Sequence, residues 1–544
     1  MNSGPSRFFG VFQYGLPFAS AGAQTIKKMM RRPNCLAAAT VLIGLAAGCA
    51  PDGAVTRAAQ ASTLLIENVR IVDGTGAPAR AGDVRIAGDS IADVGDLERR
   101  DGETVRDGEG LVLAPGFIDT HSHAGGDLLE QPEAIPAVSQ GITTVVVGQD
   151  GGSFLPLADF FERLDASPVA VNVASYAGHN TLRAEVMGKD FRRAASSAEV
   201  AAMAGLLEQE LASGALGLST GLEYDPGIYS ETSEVLALAR IAAAAGGRYI
   251  SHVRSEDRWF EQALDEIIEI GRVTGMPVQV SHVKLAMKRL WGEAPRILKK
   301  LEAARADGVD ITADIYPYEY WQSNLMVLLP ERDYSDRAAI EEALDQIAPP
   351  DGLWLTHFGP QPEYVGKTLT EIAALRGVDA TTAFMQLAEA SERMEEETGQ
   401  GEDSIIGTSM REDDIREMLL WSETNICSDG AFDDLHPRAR GAFTRVLAHY
   451  VREDKLLTLE EAVHKMSGLA AAHMGFHDRG VIRPGAHADL VLFDPDTVVD
   501  RATPQSPELL SEGVAAVWVG GQRVFENGRA TGRRPGTVIR RAPE

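Results

Sequence analysis

The chain is poor in cysteine and in aromatic residues. It has three cysteines in 544 residues, Cys35, Cys49 and Cys427, and aromatic residues make up 6% of it. Three cysteines cannot supply a disulfide framework, so the small disulfide-stabilised class of secreted domains is excluded. No disulfide is expected.

Positive charge is also scarce, and the net charge is −28. The first 48 residues carry five basic residues and no acid, so leaving them out lowers the net charge to −33. Such an excess of negative charge repels phosphate backbones, so nucleic-acid binding is not expected. We interpret the acidic surplus as a solvated surface.

The amino-terminal segment contains an apolar run that is too short to span a bilayer stably, Leu36–Ala47. A basic stretch precedes this run and small residues follow it, which predicts a secretory signal within residues 1–48, with the true start at Met29 or Met30. The sequence Leu45-Ala46-Ala47-Gly48-Cys49 resembles a bacterial lipobox. It predicts an exported lipoprotein anchored through Cys49 at the periplasmic face of a membrane, with the outer membrane favoured. A soluble periplasmic protein is the alternative.

The length of the chain predicts at least two domains, because 544 residues exceed one ordinary core. Residues 49–61 are small and predict a linker. Short alternating segments in 62–114 and again in 478–535 predict one β-sandwich domain built from both ends of the mature chain, with Gly520-Gly521 as a hairpin turn.

Between these segments, residues 115–477 alternate apolar β-rich runs with amphipathic helical stretches. Such alternation indicates an α/β fold with parallel strands, and about eight units fit a (β/α)8 TIM-like barrel. Residues 326–405 carry no polar motif at a strand end and predict an insertion of helices and loops. It is either a lid over the site or a solvated excursion without function.

Histidine and aspartate recur where the predicted strands end. His121 and His123 are two residues apart, so their side chains point the same way from a strand. Four later strand ends add Asp150, His252, His282 and Asp429. Each alone is more often a core histidine or a turn aspartate, but their repetition in successive units predicts one metal site at the mouth of the barrel.

This residue set suits hydrolysis with zinc. The metal lowers the pKa of water from about 15.7 toward 7 and polarises a carbonyl oxygen. A nearby carboxylate must then take the water's proton and pass it to the departing amine, and Asp429 at the last strand end is the candidate for this general base and acid.

Longer motifs accompany these strand ends: Gly116–His123, Gln140–Gly148, Gly178–Arg183, Ser219–Tyr224, Tyr316–Tyr318, Ser428–Gly430, His436–Arg438 and Gly480–Asp489. Together they make the chain similar to the amidohydrolase superfamily, and within it to the N-acyl-D-amino acid deacylases (D-aminoacylases). The resemblance runs from about residue 62 to 535. It implies hydrolysis of the amide bond of N-acyl-D-amino acids.

The resemblance also implies a set of site residues. One tightly bound zinc would rest on Asp150, His252 and His282, while His121 and His123 would form a second position that is weak or empty. Basic residues would grip the substrate carboxylate, and Lys284 suits that role.

Tyr316 joins the substrate-binding set through its motif. Arg254 has the same relation to His252 as Lys284 has to His282, but a structural ion pair is an equally good interpretation.

Two positions depart from the pattern of that family. The strand-2 ligand is usually cysteine within Gly-Asn-Cys-Gly, whereas this chain has Asp150 within Gly-Gln-Asp-Gly. A carboxylate is a harder ligand than a thiolate, so weaker zinc retention and acceptance of other divalent metals are expected. Gln322 stands where a serine often helps to bind substrate, and Trp321 adds bulk.

Three alternatives remain at this stage. The enzyme could hydrolyse dipeptides that contain a D residue, or it could catalyse another amidohydrolase reaction such as cyclic-amide opening. The segment Leu216–Thr220 offers no lysine for a bridged two-metal site. A lipid-anchored binding protein without chemistry is the third, and the retention of Asp429 argues against it. The sequence leaves the oligomeric state unknown.

Overall fold

The computed structural model describes residues 63–399 and 401–541. The predicted leader, the linker and the lipid-anchor cysteine Cys49 lie outside the described residues. Within these ranges, no helix is both long enough and apolar enough to cross a membrane.

Eight parallel strands in the described part of the chain form a barrel. They are Phe117–Asp119, Ile142–Val147, Asn172–Ser175, Gly217–Gly221, Arg248–His252, Val278–Val280, Ile311–Ile315 and Thr424–Ile426. A two-residue strand, Ala177–Gly178, follows the third strand along the chain and pairs with the fourth. The ring closes between the first and eighth, where the backbone N–H of His123 donates to Gly430 at 2.9 Å. The predicted α/β barrel is thereby confirmed.

The barrel strands are apolar because both of their faces are buried, as in Ile142–Val147, where all six residues are buried. Helices with one apolar stripe surround them. In Phe260–Thr274 the buried residues recur at the spacing of one helix face, as in Phe260, Leu264 and Ile267. The helices around the barrel are Asp127–Glu130, Ile135–Val138, Leu157–Ala166, His179–Met187, Ser197–Ser213, Thr232–Ala244, Phe260–Thr274, Ala294–Ala306, Glu412–Leu420, Arg438–Arg445, Leu459–Met466 and Gly468–Met474.

Both ends of the described chain join in one sheet. Nine strands of the described residues belong to it: Thr63–Ile71, Arg80–Ala87, Ser90–Gly95, Thr104–Asp107, Val112–Pro115, Leu490–Phe493, Val514–Val519, Gln522–Glu526 and Arg529–Ala530. Ile86, Leu490 and Trp518 share its apolar core. Gly520 and Gly521 have φ of 51° and 71°, the left-handed pair that a tight hairpin needs. Hydrogen bonds connect all nine strands, so this β domain is one continuous sheet.

An insertion interrupts the barrel between its seventh and eighth strands. The prediction of helices and loops alone is wrong here, because the described residues of 320–408 also form a three-stranded antiparallel sheet. Its strands are Tyr320–Ser323, Leu353–Phe358 and Asp403–Thr408, and its helices are Arg337–Gln346, Leu369–Arg376 and Ala380–Thr398. The apolar alternation in Leu353–Phe358 covers only six residues, so the sequence pattern does not distinguish this strand from the neighbouring helices.

Candidate active site

The six residues predicted at strand ends converge at one mouth of the barrel. Five of them are almost fully buried: His121, Asp150, His252, His282 and Asp429 expose 4% or less. The side chain of His123 is 25% exposed. Because all eight strands are parallel, their carboxyl ends meet at this mouth, which is where a barrel places its chemistry.

Asp150 lies between three imidazole rings. Its carboxylate oxygens lie 3.4 Å from Nε2 of His121, 3.5 Å from Nε2 of His123 and 3.4 Å from Nε2 of His282. Burial alone would raise the pKa of Asp150, but the charges of His121 and His282 hold it well below its usual range. The carboxylate is therefore ionised, as a metal ligand must be.

Asp150 belongs to two groups of donor atoms that could each hold a metal ion. His121, His123 and Asp429 complete the first group, and His252 and His282 complete the second. In each group the donor atoms lie within 4.8 Å of one another. Nε2 of His121 faces the carboxylates of Asp150 at 3.4 Å and Asp429 at 3.3 Å but makes no well-aligned hydrogen bond among the described residues, as donor atoms arranged around a metal would. The nitrogen and oxygen donors fit zinc.

The backbone is strained at three of these residues. Asp150, His282 and Asp429 have φ of 51°, 33° and 51°, a region that residues other than glycine rarely adopt. Gly148 and Gly151 flank Asp150, and a Cβ atom at Gly151 would lie 2.2 Å from Oδ1 of Asn180. The Gly-Gln-Asp-Gly turn thus needs its glycines in order to aim one carboxylate into the mouth.

Two glutamates that the sequence analysis did not identify lie behind the histidines of the second group. Oε2 of Glu223 is 3.0 Å from Nε2 of His252, and Oε1 of Glu256 is 2.9 Å from Nδ1 of His282. Burial, with the charges of His282 and Lys284, lowers the pKa of His252 to about 4 and keeps its ring neutral. Carboxylates in this position fix the ring orientation of metal-binding histidines.

Asp429 connects the first metal group to a cation. Its Oδ1 lies 3.1 Å from Nε2 of His123, and its Oδ2 accepts a hydrogen bond from Arg438. Burial opposes ionisation, but the charge of Arg438 holds the pKa of Asp429 well below its usual range. In the sequence, Arg438 is recognisable only as part of the motif His436–Arg438. Its position in the site follows from the fold, because it begins the helix after the eighth strand.

Lys284 and Tyr316 lie beside this cluster, as predicted. Nζ of Lys284 is 2.6 Å from Oε1 of Glu256 and 5.6 Å from the ring centroid of Tyr316. The guanidinium of Arg438 lies 4.8 Å from the same centroid. The hydroxyl of Tyr316 is buried without a hydrogen-bond partner among the described residues, and burial raises its pKa well above the usual value. The phenol therefore keeps its proton and can donate a hydrogen bond to a ligand.

Arg254 lies outside the cleft. Its guanidinium forms two hydrogen bonds of 2.9 Å with Glu266 and one of 2.9 Å with the backbone oxygen of Ser230. Glu266 belongs to the helix that follows the fifth strand. The prediction that Arg254 binds substrate is therefore not supported, and the alternative of a structural ion pair describes this geometry.

The metal groups open into a cleft with an empty volume of about 520 Å³, which includes its open mouth. Tyr224 from the fourth strand end lines it, with its ring centroid 4.3 Å from that of His252. Burial and the charge of Asp150 raise the pKa of Tyr224 well above its usual value. The insertion supplies Trp321, Gln322 and Ser323 to the opposite wall. Sequence reasoning identified Gln322 and Trp321 but missed Tyr224 and Ser323.

The model of a protein family, described as "Amidohydrolase family", matches residues 104–418 and 423–525 of this chain. The chain belongs to the amidohydrolase family. The match includes every predicted site residue, and the chain is accordingly a hydrolase.

Named relatives agree with this placement. An N-acyl-D-glutamate deacylase of Alcaligenes xylosoxydans xylosoxydans is 40% identical over 88% of this chain and 96% of its own length. A D-aminoacylase of the same organism is 37% identical over 88% of this chain and 97% of its own. The crystal structure of N-acyl-D-glutamate deacylase from Bordetella bronchiseptica, complexed with zinc and a phosphonate inhibitor, is 38% identical. It has a TM-score of 0.78 and covers 88% of this chain and 99% of that one.

Replacing Asp150 with alanine should remove the ligand that both metal groups share. We expect zinc binding to weaken by more than about 100-fold, because even the outer partners of zinc ligands contribute 10–100-fold. Elemental analysis and competition with a chelator would measure this. Asp150→Cys should keep the metal, and the exposed Asp159→Ala is a matched control. Unchanged metal content in Asp150→Ala would contradict the assignment.

Proposed function

We propose that this protein is a zinc-dependent hydrolase of the amide bond in N-acyl-D-amino acids. The observation that carries the proposal is the pair of metal groups sharing Asp150, placed beside Asp429 and two cations in one cleft. The named relatives, which match 88% of this chain, are an N-acyl-D-glutamate deacylase and a D-aminoacylase. The D configuration of the proposed substrate is inferred from them.

The metal would be held tightly by Asp150, His252 and His282, and more weakly at a second position by His121 and His123. Zinc supplies Lewis acidity there, which makes water more acidic and polarises a carbonyl oxygen. With an oxygen ligand in place of sulfur, we expect other divalent metals to be accepted as well. Glu223 and Glu256 hold the rings of His252 and His282 in place.

Asp429 would carry the proton. Water adds to the carbonyl carbon of the amide while Asp429 accepts one of its protons. The same carboxyl then donates that proton to the amide nitrogen, the C–N bond breaks, and a carboxylate and an amine are released. Arg438 keeps the pKa of Asp429 low, so the group is ready as a base before each turnover.

Tyr224 and the cations would orient the substrate. The Tyr224 phenol keeps its proton and lines the cleft beside His252, so it can donate a hydrogen bond to the carbonyl oxygen of the amide. Lys284, Arg438 and the Tyr316 hydroxyl lie together in the cleft lining and suit a carboxylate. The buried hydroxyl of Ser323 adds a donor without a partner among the described residues.

A panel of N-acetyl-D-amino acids tested with the zinc-loaded protein would decide the reaction. We expect free acetate and D-amino acid from these compounds and no turnover of the L-isomers. Dipeptides with a D residue and cyclic amides in the same panel test the alternative reactions. A protein that binds these compounds but releases no product would instead be a binding module.

Asp429→Asn should lower kcat by about 10²–10⁴-fold, because the amide cannot shuttle the proton. Steady-state kinetics measures this, with metal content determined in parallel. Asp433→Asn is the matched control, since Asp433 is exposed and bonded to Gln131. Wild-type activity in Asp429→Asn would contradict the role of Asp429 as the proton carrier.

Lys284→Met should raise KM by about tenfold or more, since a hydrogen bond to a charged group contributes about 1.5–3 kcal/mol. Arg254→Met should leave KM unchanged, because Arg254 is engaged with Glu266. KM for an N-acetyl-D-amino acid would be measured for both variants at equal metal content. Equal increases in the two would contradict this division of roles.

The chain is proposed to be exported and lipid-anchored through Cys49, on the strength of the signal and lipobox pattern alone. Membrane attachment would then place the enzyme among D-amino acid derivatives outside the cytoplasm. Cys49→Ala should shift the protein from the membrane fraction to the soluble periplasmic fraction, and fractionation with mass measurement of the mature amino terminus would detect this. A soluble wild-type protein would favour the unlipidated alternative.

A further inference from the structure

Few cationic side chains of the cleft are available to a second carboxylate of a ligand. Apart from its histidines, which belong to the metal groups, the lining contains five carboxyl groups, Asp150, Glu223, Glu256, Asp257 and Asp429, and within the described residues two basic side chains, Lys284 and Arg438. Each cation is already paired, Lys284 with Glu256 and Arg438 with Asp429.

Two more arginines lie close to the cleft but are committed elsewhere. Arg258 forms an ion pair of 2.6 Å with Asp257. Arg332 donates to Oδ1 of Asp225 at 3.0 Å and to the backbone oxygens of Glu223 and Met326 at 2.8 Å each. Neither arginine belongs to the cleft lining, in contrast to Lys284 and Arg438, so neither is placed to receive a carboxylate from a ligand.

The wall supplied by the insertion is mostly apolar, with Trp321, Val327, Leu328 and Ile347 beside the polar Gln322 and Ser323. The amide nitrogen of Gln322 donates to Ser404 at 3.1 Å and to Asp434 at 3.3 Å. Val327 and Leu328 lie on the short helical turn Leu325–Leu328, whose first N–H donates to Asp403 at 2.6 Å. Arg332 ties this turn to the loop after the fourth strand, which carries Glu223 and Tyr224, so the wall has a fixed position relative to the metal groups.

We propose that the substrate's D side chain lies against this wall and is neutral and apolar, and that acidic D side chains are excluded. The inference rests on the proposed deacylase function and specifies its substrate class. The α-carboxylate of the substrate uses the Lys284 and Arg438 pair. A second carboxylate on the side chain would lie against the apolar residues of this wall without a cation to pair with, and a buried charge without a partner is strongly disfavoured.

The test compares kcat/KM of the zinc-loaded protein for the N-acetyl derivatives of D-leucine, D-methionine, D-glutamate and D-aspartate. We expect a preference of roughly 100-fold or more for the apolar pair. Equal or better hydrolysis of the D-glutamate or D-aspartate derivative would overturn the inference while leaving the deacylase function intact. Turnover of none of them would overturn the function and the inference together.

A variant with one added charge tests whether the side chain of the substrate lies against this wall. Val327→Lys should narrow the D-leucine to D-glutamate ratio by about tenfold or more, because it gives an acidic side chain a partner. Val273→Lys is the matched control, on the outer helix Phe260–Thr274, where Val273 is 42% exposed. An unchanged ratio in Val327→Lys would overturn the assignment of this wall.

If Val327→Lys does not fold, Val327→Gln provides the second measurement. It should lower kcat/KM for the D-leucine derivative by roughly tenfold relative to the D-alanine derivative, because the leucine side chain of the substrate loses an apolar contact that alanine does not make. A D-leucine to D-alanine ratio equal to that of the wild type would show that the side chain does not reach this wall.

Discussion

The carboxylate of Asp150 is held among the imidazole rings of three histidines, and the site depends on this arrangement. It requires the first, second and sixth strands of the barrel to end at the same depth. A closed ring of parallel strands meets that requirement without help from loops. The strain at Asp150, His282 and Asp429 is acceptable because the surrounding ring is rigid and fully packed.

The metal ligands and the apolar wall of the cleft come from different parts of the molecule. The barrel ends supply the metal ligands and the proton carrier, whereas the insertion supplies Trp321, Val327 and Ile347. Arg332 connects the two, because its guanidinium binds the backbone of both the insertion and the loop after the fourth strand. The insertion can therefore vary in sequence and change the accepted substrate without disturbing the ligands. Its role as a lid stays a prediction.

The sequence allowed the barrel and the six strand-end residues to be predicted because buried parallel strands are apolar and their polar ends recur. Roles beyond the strand ends were less predictable. The alternation of side chains along a strand predicted that Arg254 and Lys284 both point into the barrel mouth. That alternation holds only within a strand, and the two strands end at His252 and Val280. Arg254 turns back to its helix, while the left-handed backbone at His282 directs Lys284 inward.

Side-chain contacts between distant segments could not be predicted from local patterns, although the joining of the two ends in one β domain could. Arg438 reaches Asp429 because the helix after the eighth strand begins beside the mouth. Glu223 and Glu256 follow strand ends, but their sequence surroundings do not distinguish them from solvated acids. The strand Leu353–Phe358 depends on its partner Asp403–Thr408, which lies across two helices.

The nine-stranded sheet has a consequence for how the molecule forms. Strand Val112–Pro115 pairs with Leu490–Phe493, so its edge finds no partner until almost the whole chain has been synthesised. Contacts of such long sequence separation form late and slowly, because a large loop must close first. The barrel can assemble from neighbouring units before that. We therefore expect the pairing of Val112–Pro115 with Leu490–Phe493 to be among the last contacts to form.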